Sequence, residues 1–145
     1  MDENIELLEY ICKNSEMGVY STTKLLEDIN GKENKIKKVV EGILKGYENF
    51  YKDSKKIVKK SKYDIKENGV MSKMMATMGI KKEVKSDNSD AAIAHLLTEG
   101  LTMGVVDITS KLKNYRDEAD KSIVKMADKY LKFQQESIDV LKDYL

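Results

Sequence analysis

Apolar and small residues recur along the chain at three-and-four spacing, the period of helices with one buried face. The first such run follows Asp2, a good helix cap, through Ile5, Leu8, Ile11, Cys12, Ser15, Val19, Thr22, Leu26 and Ile29. Asn30 and Gly31 end it, glycine supplying the left-handed residue that closes a helix. After the short link Lys32 to Asn34, a second stripe runs through Ile36, Val39, Ile43, Tyr47, Phe50, Ser54 and Ile57. So short a link makes the two helices antiparallel neighbours.

Periodicity loosens from about residue 62 to 88, where Asn68-Gly69, the compact VMSKMMATMGI and the turn-forming SDNS predict a crossover containing a short helix. Met71, Met74, Met75 and Met78 share one side of it and read as flexible filling for a bundle end, the other reading being a binding surface. A third helix capped near Ser89 runs to about Tyr115, with Ile93, Leu97, Gly100, Gly104, Ile108 and Tyr115 inward and His95, Glu99, Thr102 and Val106 outward. The fourth starts near Asp117 to Asp120 and continues through Ile123, Ala127, Tyr130, Leu131, Gln134, Ile138 and Leu141. The pattern predicts one all-α domain over 1–145: a hairpin at about 2–61, a crossover at about 62–88 and a second hairpin at about 89–145.

Composition sharpens this picture. With no proline or tryptophan and 35% charged residues, the chain suits long helices, and a net charge of +1 gives no global field for nucleic acid or an anionic membrane. Residues 32 to 66 carry twelve Lys against five acids but no Arg, as expected of a solvated helix face. The lone Cys12 cannot form an internal disulfide and reads as a core residue of a reducing compartment. The N-terminus is acidic where a signal peptide is basic, and no apolar run approaches the length of about 20 that spans a bilayer, so a cytoplasmic location without membrane contact is expected.

Two segments repeat. Met103 to Leu112 (MGVVDITSKL) aligns with Met17 to Leu26 (MGVYSTTKLL) at an offset of 86. Tyr130 to Leu141 (YLKFQQESIDVL) aligns with Tyr47 to Val58 (YENFYKDSKKIV) at an offset of 83. Two matches in the same order suggest a duplicated helical hairpin. Paired hairpins, a glycine-marked crossover from Gly69 to Gly79, a small-residue helix with Glu99-Gly100 and a last helix with Gln134-Gln135 resemble the ferritin-like superfamily. More narrowly they are similar to the bacterial ferritin-like domains of unknown function. The resemblance implies a ferritin-like four-helix bundle with an ancestral metal site, and implies no activity.

A di-iron centre of that superfamily needs inward Glu from two helices and Glu-x-x-His from the others. At 100° per residue, Ser15 and Thr22 occupy the centre of the first helix's inner face, Glu16 turns away, and Glu48 and Glu136 point outward on the second and fourth. His95 and Glu99, four apart on the outer side of the third helix, are weak metal candidates, and no bound metal or cofactor is expected. Asp107 flanks the inner face, where Lys111 one turn later can neutralise it.

The inner faces instead gather Gln134, Tyr130, Tyr47, Ser15, Thr22 and Ser137, a candidate polar network or small pocket. Gly100 and Gly104 are expected to face a bulky neighbour such as Tyr47 or Tyr130, since helical glycine costs roughly 0.5–1 kcal/mol relative to Ala. One Cys and one outward His leave no catalytic set. The expectation is a bundle without a working di-iron site or catalytic activity, acting as a structural or interaction protein that pairs with itself or another protein. The competing expectation is a metal- or small-ligand-binding protein, or a degenerate ferritin-like redox protein, using the bundle core.

Overall fold

The computed structural model describes residues 2–61 and 87–145, and the methionine segment at 71–78 lies outside the described residues. Four α-helices are found among the described residues: α1 (Glu3–Asp28), α2 (Lys37–Ser61), α3 (Asp90–Tyr115) and α4 (Lys121–Leu141), followed by a 3-10 turn at Lys142–Tyr144. The caps are local. Asp2 accepts from the Asn4 amide at 2.8 Å, Ser89 from the Ala92 amide at 3.2 Å, and Gly31 takes φ +79° at the α1–α2 turn.

α2 is capped by another helix. The Asp90 carboxylate, at the start of α3, accepts from the amides of Lys35 at 3.1 Å and Ile36 at 3.4 Å and from Asn34 Nδ2 at 3.0 Å. The N-termini of α2 and α3 therefore share one end of the bundle. At the other end the Asp120 amide donates to Asn4 Oδ1 at 2.6 Å, which sets the start of α4 beside the start of α1. The order is up, down, down, up: α1 packs against α2, α3 and α4, α4 packs against α2 and α3, and α2 and α3 hold the far diagonal.

Apolar side chains from all four helices fill the interior, among them the fully buried Leu7, Ile11, Ile36, Val40, Ile93, Ile108, Ala127 and Leu141. The inner face of α3 includes Ala94, Leu101 and Leu112. It is turned by about 30° from the sequence expectation, given 100° per residue. Gly100 is consequently exposed, with nothing within 4 Å of where a Cβ would stand, which corrects its assignment to the packed face. The large aliphatic side chains of Leu101 and Leu112 set the helix phase in place of the small residue.

α3 bears on the expectation about membrane spans without deciding it. By length and composition alone it is long and apolar enough to cross a membrane, the one such helix among the described residues, and a third of that apolar window is buried. Alanines together with Ile, Leu, Met and Val raise its hydropathy, while His95, Glu99 and Asp107 interrupt the apolar run.

Candidate functional site

The core holds polar groups, arranged differently from the sequence expectation. Ser15 Oγ donates to the carbonyls of Ile11 at 2.6 Å and Cys12 at 3.2 Å, Ser137 Oγ to Phe133 O at 2.8 Å, and Ser54 Oγ to Tyr51 O at 3.0 Å. These hydroxyls serve their own helices, because a carbonyl one turn back is always within reach. They do not join Gln134 in a network. Thr22 Oγ1, also buried, has no hydrogen-bond partner.

The residue that gathers the centre is Asn14. Its Oδ1 accepts from the Tyr130 hydroxyl and from Gln134 Nε2, the latter at 3.4 Å, and both donors' side chains are fully buried. Gln134 Oε1 has no partner. Gly104 makes room for this amide, since a Cβ there would stand 2.1 Å from Gln134 Nε2. Gly18 does the same for Tyr47, whose ring would lie 2.4 Å from an added Cβ. Tyr47 thus packs on Gly18, and neither Tyr47 nor Tyr130 lies on Gly104. Asn14 belongs to the row Leu7, Ile11, Asn14, Gly18 and Leu25, whose three-and-four spacing marks it as inward.

Four rings knit α2 to α4. Phe50 lies 5.0 Å from Tyr130 and 5.5 Å from Phe133, Tyr47 lies 5.2 Å from Phe133, and the Tyr47 and Tyr130 rings are 6.5 Å apart. Burial drives the Tyr47 and Tyr130 phenols well above their ordinary range, and Tyr130 is raised further by the neighbouring Tyr47 and Tyr10 phenols. Both stay neutral at any ordinary pH.

A surface cavity of about 320 Å³ opens between α1 and α3, with Tyr10, Lys13, Asn14 and Met17 on one wall and Lys111 on the other. Its rim is a chain of ion pairs: Lys13 to Glu9 at 3.1 Å and Lys111 to Glu6 at 3.4 Å, with the Lys111 ammonium 5.6 Å from the Tyr10 ring centre. Tyr10 donates its hydroxyl to Asp107 at 3.3 Å, and burial followed by the Asp107 carboxylate raises its pKa. Lys111 therefore neutralises Glu6 rather than Asp107. α1 supplies Asp107 with a hydroxyl and Lys111 with a carboxylate, so the cross-helix pairs displace the pair within α3.

His95 and Glu99 meet at 3.0 Å on the outer face of α3, where their side chains are 70% and 63% exposed. Glu48 and Glu136 are exposed. Glu16 corrects its outward assignment: it is 7% exposed and accepts from the Tyr51 hydroxyl at 3.0 Å, because α2 covers that flank of α1. Burial raises the Tyr51 phenol to about 12. Among the described residues no three His, Cys, Asp or Glu side chains converge where they could hold a metal.

The outermost stripe of α3 reads His95, Glu99, Thr102, Val106, Ser110 and Lys113, with Met103 beside it. Met103 is 68% and Val106 62% exposed, the most exposed large apolar side chains described. Comparison of the chain with protein-family models, with curated proteins and with solved structures finds no match to any of them.

Proposed function

We propose that the protein is a cytoplasmic interaction bundle, ferritin-like in layout, that works as a homodimer joined through the outer face of α3. The observation that carries this reading is the self-complementarity of that face. With a two-fold axis at Val106 and the two α3 helices antiparallel, Glu99 of each copy lies opposite Lys113 of the other. Thr102 lies opposite Ser110, and the two Val106 side chains meet on the axis. Reversing the helix direction would set Glu99 against Glu99 and Lys113 against Lys113, which costs rather than stabilises.

The fifteen residues from Glu99 to Lys113 make a contact about 21 Å long and one helix wide. That is at the small end for specific interfaces, the size of weak and transient pairings. The up-down-down-up order, with α1 parallel to α4, supports the ferritin-like layout. The duplication is supported by Gly18 and Gly104, matched at the offset of 86 and each admitting a side chain from the following helix, and by Phe50 packing on Phe133, its match at the offset of 83.

Sedimentation over a concentration series tests the dimer. The 16.6 kDa chain is expected to approach twice that mass, Val106→Arg to stay monomeric, and Glu99→Lys to weaken pairing that Glu99→Lys with Lys113→Glu restores. A wild type that remains monomeric at several hundred micromolar, or a charge swap that restores nothing, would reject the reading.

A further inference from the structure

We propose that the cavity between α1 and α3 is a binding site for a small zwitterion of the α-amino-acid class, a role independent of the dimer face. The argument begins with cost. A bundle selected only for packing would place a leucine at 134 and an alanine at 104. This chain instead keeps a fully buried amide with one unpartnered oxygen and a helical glycine to admit it.

The arrangement fixes one end of Asn14. Two interior donors, Tyr130 and Gln134, occupy its Oδ1, so the amide's remaining hydrogen-bonding group is the Nδ2 donor, on a residue that also lines the cavity. Such a donor selects an acceptor oxygen.

The walls define the rest of the ligand. Lys111 brings an ammonium beside the Tyr10 ring, and Lys13 brings another on the same helix as Asn14. Each is matched by a carboxylate, Glu6 or Glu9, so the cavity is electrically balanced. A lone anion or a lone cation would break these pairs, whereas a molecule carrying both charges can exchange with them: its carboxylate on Asn14 Nδ2 and Lys111, its ammonium on Glu6 or Glu9. Tyr10 and Met17 offer a ring and a thioether to a short side chain. The volume is at the lower bound of small-molecule pockets, which suits a ligand of this size.

Nitrogen-edited NMR of the full chain tests the site, following the Asn14 side-chain amide while single free amino acids are added to about 10 mM, a range that captures millimolar affinity. The same side chains as N-acetylated amides, lacking both charges, are the comparison. At least one free amino acid is expected to move the Asn14 signals saturably and its blocked form to leave them unmoved. Lys111→Met, a rim change that leaves the Tyr130–Asn14–Gln134 contacts in place, is expected to weaken binding about tenfold or more with unchanged helicity. The proposal is overturned if no free amino acid moves these signals, if blocked forms act equally, or if Lys111→Met binds as the wild type does.

Discussion

Gly104 and Gly100 stand four residues apart on one helix, and the same substitution should act on them with opposite sign. At Gly100 an alanine Cβ meets nothing within 4 Å, so Gly100→Ala should collect the intrinsic helix preference, a gain of roughly 0.5–1 kcal/mol. At Gly104 the new Cβ would stand 2.1 Å from Gln134 Nε2. The Gln134 side chain is fully buried, and moving it breaks its bond to Asn14. Stranding that amide costs about 1–3 kcal/mol and crowding a packed core about 1–3 kcal/mol more, against a helix gain of at most about 1 kcal/mol. A net loss of roughly 3 kcal/mol follows, or a fall in Tm of about 6–12 °C for a domain of this size. Urea unfolding followed by far-ultraviolet circular dichroism measures both variants. In a Gln134→Ala background the obstacle is gone, and Gly104→Ala should become neutral or favourable, a coupling above about 1 kcal/mol. Equal effects at the two glycines, or a cycle that closes to within about 0.5 kcal/mol, would refute this account of the core.

Removing Asp90 by Asp90→Ala takes away the acceptor shared by Lys35, Ile36 and Asn34, and urea unfolding should show a loss of about 1–2 kcal/mol. His95→Ala, on an outer face, should change stability by less than about 0.5 kcal/mol in the same assay. Alkali should unfold the protein. The folded state holds the Tyr47 and Tyr130 protons above the pH near 10 at which unfolded tyrosine releases them, so their contribution is complete below that pH and is lost as pH rises toward the folded values. The pair should make the urea-derived stability fall by roughly 3 kcal/mol per pH unit above about pH 10, and a flat profile to pH 11 would contradict the burial of either ring.

Periodicity gave the four helices and their antiparallel pairs, because a three-and-four stripe of Ile, Leu and Val has only one way to be buried. The turn at Gly31 and the caps at Asp2 and Ser89 were legible for the same local reason. What escaped was contact between helices. The phase of α3 differs by a small angle from a face centred on Gly100, because the bulk of Leu101 and Leu112 decides the inward direction. Glu16 is buried because Tyr51 reaches across to it. Asn14 sits on an inward row, yet its role depends on Tyr130 and Gln134 from a helix more than a hundred residues later. Asp90 capping α2 from α3 has no local signature at all.

The pairing of two α3 helices about Val106 is tested most directly by a disulfide cross-link. In a Cys12→Ala background, Val106→Cys places one thiol per chain on the proposed axis, and Ala91→Cys places it near the end of the same outer face, far from its counterpart. Oxidation should convert the Val106→Cys protein to a band of twice 16.6 kDa on a non-reducing gel and leave Ala91→Cys at the monomer mass. No cross-link at Val106, or equal cross-linking at both positions, would contradict the dimer.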